Sequence, residues 1–195
     1  MQKTRMASYD RILTVPNALT ALRLACLPAF VALLAQPRQR GRLASGCLLG
    51  ALGITDGLDG YIARHFDQVS ALGTVADPLV DRALVFTAVT GTLAIGAVPR
   101  WLVGLMLARE TAVAGGAAAI ALAGGRRVEV SWAGKAGTFG MMVALPLFIM
   151  GKSPFRWRRQ AGVVAWLAAA GGQIFGWGAV AGYVPEALAS VSARG

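Results

Sequence analysis

Four aspartates in the sequence stand at spacings that would bring their carboxylates together. Asp56 and Asp59 are three residues apart. Asp77 and Asp81 follow at a spacing of four. Within α-helices, residues at both spacings share one helix face. An antiparallel hairpin through residues 65–76 would then place all four carboxylates at one level of the molecule.

Carboxylates held this close would repel one another strongly. Either some of them are protonated or cations neutralise them. Oxygen ligands that cluster without histidine or cysteine suit Mg²⁺, Mn²⁺ or Ca²⁺, and a set of four can bridge two such ions. The pattern therefore predicts a site for two divalent cations. Asp67 falls outside both pairs and is expected to be a solvated turn residue.

Small residues and one arginine accompany the four aspartates. Gly57 and Gly60 flank Asp59, and Gly73 precedes the second pair by four residues. Helix faces without side chains let a bulky ligand lie directly against the backbone. Arg64 ends the first cluster, where a guanidinium can bind a phosphate oxygen through two hydrogen bonds. Metal ions, arginine and bare backbone together predict a diphosphate ligand.

The elements that position these residues must be membrane helices by composition. The 195 residues are 56% hydrophobic and 14% charged, whereas a soluble domain carries about 25% charged residues. At roughly 20 residues for each spanning helix, most of the chain is consumed by the membrane and no room remains for a second, soluble domain. The composition therefore predicts an integral membrane protein.

Six apolar runs of spanning length divide the chain. Polar, basic or helix-breaking segments separate them, as expected for loops. The sequence thus predicts an all-α integral membrane protein, a bundle of six transmembrane helices in one transmembrane domain over residues 17–195. The expected spans are about 17–36, 43–63, 77–97, 99–123, 136–151 and 161–183.

The first 16 residues form a separate juxtamembrane segment. Lys3, Arg5 and Arg11 alternate there with apolar residues, a pattern typical of a short amphipathic helix at the membrane interface. This helix is expected to end at Pro16. The segment lacks a short apolar run followed by a cleavage site, so it is not expected to be a removable signal peptide.

Basic residues in the predicted loops do not select an orientation. With a cytoplasmic N-terminus, eight basic residues would lie inside and eight outside. The net charge of +10 is scattered over both ends of the bundle instead of forming one stripe. This distribution favours anionic lipid headgroups of the bilayer over nucleic acid as the partner. The basic segment 152–159 is expected to touch lipid phosphates.

Together these residues form one extended motif. Its signature resembles, at every fixed position and spacing, that of the CDP-alcohol phosphotransferase family of integral membrane enzymes, the class I CDP-alcohol phosphatidyltransferases. The motif reads Asp56-x₂-Asp59-Gly60-x₂-Ala63-Arg64-x₈-Gly73-x₃-Asp77-x₃-Asp81.

The resemblance implies a fold, a reaction and roles for these residues. Family members have six transmembrane helices, with the motif on the second and third, and a site in the cell membrane that opens to the cytoplasm. By analogy the four aspartates hold two ions, Mg²⁺ or Mn²⁺, which grip the diphosphate of a CDP-linked lipid. Asp81 is then the catalytic base that accepts a proton from the acceptor hydroxyl. The nucleotide site would be lined by Gly60, Ala63, Arg64 and Gly73.

Further residues resemble the branch of phosphatidylglycerolphosphate-synthase-like and cardiolipin-synthase-like members. In Asn17-Ala-Leu-Thr20-Ala-Leu-Arg23, Thr20 and Arg23 would face the cavity, with Thr20 at the CDP-lipid. Arg109 and Lys135 are the candidates for binding an acceptor phosphate. The stretch WAGKAGTFGMMVALPLFIM is similar to the fifth helix of actinobacterial cardiolipin-synthase-like members.

The resemblance implies CDP-diacylglycerol as the donor and a glycerol-type acceptor. Phosphatidylglycerol would give cardiolipin, and glycerol 3-phosphate would give phosphatidylglycerol phosphate. Both offer a hydroxyl beside a phosphate, so a basic pocket does not separate them, and inositol phosphate is a further alternative. Because family members are commonly homodimers, a homodimer is one expectation for the oligomeric state.

Structural alternatives stand beside these roles. An ion or proton transporter would also carry carboxylates within the membrane. Such a transporter would not require small residues beside Arg64, and the inverted repeats expected of one are absent from the sequence. Arg109 could reflect a polar bundle interior, and Lys135 could extend to the interface. Arg82, next to Asp81, fits a functional and a structural role equally well.

Overall fold

A computed structural model describes the backbone of residues 15–36, 39–65, 71–122 and 131–192. Side chains are described for residues 17–36, 40–55, 79–113, 115–116 and 131–182. All regular structure in these segments is helical. The helices are α1 (Val15–Ala35), α2 (Gln39–His65), α3 (Ala71–Ala94), α4 (Arg100–Leu122), α5 (Trp132–Gly151) and α6 (Arg158–Ser192).

The predicted all-α chain with six long helices is confirmed within the described segments. Three of these helices are long and apolar enough to cross a membrane. They contain Asn17–Ala35, Trp132–Gly151 and Arg158–Gly182, with mean hydropathies of 2.0, 1.4 and 1.4. That the other three also cross the membrane stays a prediction.

Several helices begin earlier than their apolar runs suggest. α5 begins at Trp132 rather than near 136, because Ser131 caps it: the Ser131 Oγ accepts a hydrogen bond from the Gly134 N–H at 3.1 Å. α1 already includes Val15 and Pro16, since proline is tolerated in a first helical turn. The division of the chain into residues 1–16 and 17–195 stays a prediction. The rest of the predicted amphipathic segment lies outside the described residues.

The end of α3 is set by a glycine rather than by hydropathy. Gly96 has a φ of 62°, in the left-handed region. Its N–H donates to the Leu93 carbonyl at 3.0 Å, and the Ala97 N–H donates to the Thr92 carbonyl at 2.9 Å. This pair of bonds is the usual left-handed cap of a helix C-terminus. α3 consequently stops at Ala94, three residues before the predicted end.

Consecutive helices run in alternating directions around one apolar core. α1 packs on α2 and α3, α2 packs on α5, and α4 packs on α6. A Cβ at Gly46 would meet Met150, whereas one at Gly53 would meet Met142, so α2 and α5 are antiparallel. The core where the helices meet contains residues from all six helices, among them Phe30, Leu49, Val89, Met106, Ile149 and Ala165.

The most extensive helix pair is α5 with α6. A Cβ at Gly140 would lie 2.7 Å from the Gly172 Cα, and a Cβ at Gly137 would lie 2.7 Å from the Gly176 Cα. Only residues without a side chain allow two backbones to approach so closely. We call these four glycines the glycine seam. It fixes the register of α6 against α5.

Candidate functional site

A cavity of about 570 Å³ opens between α2, α3, α4 and α5. Its polar lining comes from α3, α4 and α5, through Asp81, Arg82, Arg109, Glu110 and Thr138. Its apolar lining includes leucine, methionine and phenylalanine side chains of the same helices. The structure therefore brings two of the predicted site residues, the base candidate Asp81 and the phosphate-binding candidate Arg109, to the same cavity.

Asp81 is held at the cavity wall by an arginine of α1. Arg23 Nη1 donates a hydrogen bond to Asp81 Oδ1 at 2.7 Å. The Arg23 side chain is 1% exposed and the Asp81 side chain is 42% exposed. A buried guanidinium is tolerated when it is paired with a carboxylate. The pair thus fixes one carboxylate oxygen while the side chain still reaches the cavity.

Arg23 and Thr20 are the predicted site residues of α1. Both are buried, and in the described part of the chain neither belongs to the residues that line the cavity. They are one helical turn apart on α1. That both face the substrate cavity stays a prediction. The structure places Arg23 in contact with Asp81, a pairing across 58 residues of chain that no sequence spacing indicates.

The remaining motif residues lie on two helices. Asp56, Asp59, Gly60, Ala63 and Arg64 belong to the second half of α2, and Gly73 and Asp77 belong to the first turns of α3. The helical premise of the spacing argument is therefore confirmed. Their side chains lie outside the described set, so their convergence stays a prediction. Gly53, one turn before Asp56, lines the same cavity as Asp81.

Arg109 is almost completely enclosed. Its side chain is 8% exposed, and Nη2 donates a hydrogen bond to Glu110 Oε1. On the other side, Glu110 Oε2 lies 3.9 Å from Arg82 Nη1. Glu110 therefore bridges two arginines of the cavity wall, a role that the sequence did not suggest.

Lys135 occupies a different position. It lies in the first turn of α5, is exposed, and does not belong to the cavity lining of the described residues. Thr138, close to one turn further along α5, does line the cavity. The structure therefore brings Arg109 but not Lys135 to the cavity, and a role for Lys135 in acceptor binding stays a prediction.

The donor set is suited to hard cations. Asp81 supplies a partly exposed carboxylate to the cavity, and the helix positions of Asp56, Asp59 and Asp77 add three more carboxylates on α2 and α3. Among the side chains that the structure describes, no group of three or more histidine, cysteine or acidic residues occurs. Of the four aspartates, only Asp81 belongs to that described set.

Comparison with known proteins identifies relatives over most of the chain. A family model described as CDP-alcohol phosphatidyltransferase matches residues 13–177. A cardiolipin synthase (CMP-forming) of Streptomyces coelicolor is 36% identical over 182 residues, which cover 91% of this chain and 81% of the relative. A CDP-diacylglycerol–glycerol-3-phosphate 3-phosphatidyltransferase of Bacillus subtilis is 32% identical over 154 residues, covering 72% and 79%.

A third relative carries the same name as the second. It is the CDP-diacylglycerol–glycerol-3-phosphate 3-phosphatidyltransferase of Salmonella paratyphi A, 32% identical over 161 residues that cover 80% of this chain and 86% of the relative. The matched family model includes the whole aspartate motif and Arg109, and it ends one residue after Gly176. The chain belongs to the CDP-alcohol phosphatidyltransferase family.

Proposed function

We propose that this protein transfers a phosphatidyl group from CDP-diacylglycerol to the hydroxyl of a glycerol-type acceptor, releasing CMP, as a step of phospholipid biosynthesis. The observation that carries the proposal is the shared cavity of Asp81 and Arg109. One group is a carboxylate that can accept a proton, and the other is an enclosed guanidinium that suits phosphate. The names of the relatives, a cardiolipin synthase and glycerol-3-phosphate phosphatidyltransferases, support this donor and these acceptors.

Asp56, Asp59, Asp77 and Asp81 would hold two divalent ions, Mg²⁺ or Mn²⁺. The fit rests on oxygen donors at helical spacings, on the partly exposed Asp81, and on Gly53, which carries the cavity toward Asp56. When bound, such ions supply positive charge that stabilises a diphosphate and its leaving group. Arg64 would add a guanidinium at the end of the same helix face, where the nucleotide is expected beside Gly60, Ala63 and Gly73.

In the proposed reaction, the chain supplies proton transfer and positioning. Asp81 accepts the proton of the acceptor hydroxyl as its oxygen forms a bond to the phosphorus that carries diacylglycerol. The bond from that phosphorus to the CMP oxygen breaks, and CMP leaves with the electron pair. Arg23 orients the Asp81 carboxylate through Oδ1. Arg109 would bind the phosphate beside the acceptor hydroxyl and bring that hydroxyl to Asp81.

A site within the bilayer accounts for the charged residues on α2, α3 and α4, which carry the motif aspartates, Arg109 and Glu110. Ionisable residues within membrane helices are rare and face a polar interior or cavity. Large apolar side chains outside the cavity lining support lipid contact of the bundle, since Leu79, Leu167 and Ile174 are more than half exposed. The proposal also includes six spanning helices, a cytoplasmic site and a homodimer, as the resemblance to the family implies.

The test is CMP release from CDP-diacylglycerol by the purified protein with Mg²⁺ or Mn²⁺. Phosphatidylglycerol, glycerol 3-phosphate and inositol phosphate are compared as acceptors in parallel. Asp81→Asn is expected to lower kcat by about 10²- to 10⁴-fold, the usual contribution of a general base, while Asp67→Asn retains activity. If no acceptor supports CMP release while the reconstituted protein conducts ions or protons, the transporter alternative replaces the enzyme.

A further inference from the structure

Arg109 rests against a bare position of α6. A Cβ at Gly176 would lie 2.6 Å from both Cδ and Nη1 of Arg109 and 3.4 Å from its Cζ. The three nearest neighbours of that added atom all belong to this one arginine. Real side chains do not approach a Cβ this closely, so the Arg109 side chain occupies space that any larger residue at position 176 would need.

Other glycines of α6 differ from Gly176 in what surrounds them. A Cβ at Gly171 or Gly178 would meet nothing within 4 Å. A Cβ at Gly172 would meet the α5 backbone, at 3.0 Å from the Gly137 oxygen and 3.2 Å from the Met141 nitrogen. Gly172 therefore serves helix packing, whereas Gly176 also receives a cavity residue. This difference supplies matched controls within one helix.

Nη1 of Arg109 is positioned by packing against α6 rather than by a hydrogen bond to a described residue. Nη1 of Arg109 is buried and has no hydrogen-bond partner among the described residues. Nη2 is bound by Glu110. The guanidinium is thus held between a carboxylate on one side and the backbone of α6 on the other. A methyl group at position 176 would push it away from α6 and toward the cavity that Arg109 lines.

We propose that Gly176 is a positioning residue for acceptor binding, because its missing side chain sets how far the Arg109 guanidinium projects into the cavity. The inference rests on the proposed function, in which Arg109 binds the acceptor phosphate. α6 contributes no residue to the cavity lining of the described chain. Under this proposal it nevertheless controls the affinity for the acceptor.

The experiment measures CMP release by wild type, Gly176→Ala and Gly178→Ala while the concentrations of acceptor and CDP-diacylglycerol are varied separately. Gly176→Ala is expected to raise the KM for the acceptor by at least about tenfold, the effect of one misplaced methyl-sized group in a binding pocket. The KM for CDP-diacylglycerol is expected to change less than twofold, and Gly178→Ala should behave like wild type. An unchanged acceptor KM in folded Gly176→Ala overturns the inference.

A double-mutant cycle with Arg109→Ala separates this inference from the proposed function. Truncation of Arg109 removes the clash, so Gly176→Ala should have little further effect on acceptor KM in that background, and the double variant should fold even if Gly176→Ala alone does not. Full additivity of the two substitutions overturns the role of Gly176. If Arg109→Ala leaves acceptor KM unchanged, the role of Arg109 itself is wrong.

Discussion

Arg23 and Asp81 show how one side-chain pair links a distant helix to the proposed chemistry. The guanidinium is 1% exposed, whereas the carboxylate is 42% exposed. The pair is therefore intermediate between a surface ion pair, worth less than about 1 kcal/mol, and a fully buried pair, whose disruption costs about 3–5 kcal/mol. Its structural role is to hold Asp81 Oδ1 in a defined place.

Arg23→Gln is expected to lower the free energy of unfolding by about 1–3 kcal/mol, because the Asp81 carboxylate loses its cationic partner. Arg23→Lys should recover part of the loss, since lysine keeps the charge but not the planar fork of donors. Thermal unfolding in detergent with EDTA measures the effect without bound metal. Equal unfolding midpoints for wild type and Arg23→Gln would show that the pair contributes nothing to stability.

Helix α6 shows how elements, rather than single residues, control the cavity. It packs backbone against backbone on α5 through the glycine seam and supports Arg109 of α4. Trp166 of α6 also stacks on Trp101 of α4, with ring centroids 5.9 Å apart. α6 therefore contacts both α4 and α5 and sets their relative position. These two helices contribute Arg109 and Thr138 to the cavity.

The glycine seam leaves no space for side chains between α5 and α6. A Cβ at Gly140 would lie 2.7 Å from the Gly172 Cα and 2.8 Å from the Ala168 oxygen, backbone atoms that cannot rotate away. Gly140→Ala should force α5 and α6 apart and cost about 1–3 kcal/mol, as overpacked cores do. Gly171→Ala, which meets nothing within 4 Å, should be neutral or stabilising. Thermal unfolding that ranks the two variants in the opposite order would contradict close packing of the helices.

The cap of α3 depends on the positive φ of Gly96. Gly96→Ala is expected to cost about 1 kcal/mol, because alanine is strained at a positive φ, although its Cβ would meet nothing within 4 Å. Gly104→Ala on α4 is the matched control, with equally open space and no positive φ. Unfolding midpoints that fall equally in both variants would show that the φ of Gly96 is not the cause.

For the molecule as a whole, hydropathy and spacing predict the number and order of the helices, since a bilayer demands long apolar segments. They also place the four aspartates on α2 and α3. They do not predict helix ends, which depend on local caps at Ser131 and Gly96. They do not predict the contacts of Arg23 or Gly176 either, because those depend on how helices distant in sequence pack together.

Acidic residues are absent from one end of the bundle in the described segments. The acidic residues all lie outside residues 11–55, 82–109 and 130–185. One end of the bundle, where α1, α3 and α5 finish and α2, α4 and α6 start, carries only basic residues among the described charges. Exposed tryptophans, Trp101 and Trp157, lie there too. The basic residues described at this end are Arg40, Arg42, Arg100, Lys152, Arg156, Arg158 and Arg159.

We expect the end of the bundle where α2, α4 and α6 start to bind anionic lipid headgroups. Replacing Arg156, Arg158 and Arg159 together by glutamine should reduce the stabilisation that phosphatidylglycerol gives in nanodiscs, since each basic residue near an anionic surface contributes about 1 kcal/mol. The triple lysine variant keeps the charge and should retain the effect. Thermal unfolding in nanodiscs with and without phosphatidylglycerol makes the comparison, and an unchanged lipid dependence of the glutamine variant would refute it.

The Arg23–Asp81 pair has a consequence for biosynthesis. The ribosome completes α1 before α3, so Arg23 reaches the membrane when its carboxylate partner, 58 residues later, is not yet made. An arginine at the centre of an inserting helix costs about 2.5–3.5 kcal/mol on insertion scales. The span Asn17–Ala35 of α1 has a mean hydropathy of 2.0, above the 1.4 of the spans Trp132–Gly151 and Arg158–Gly182. The surplus of apolar residues in α1 offsets the cost of inserting Arg23, so that α1 can enter the bilayer before α3 is made. Arg23 then pairs with Asp81 when α3 follows.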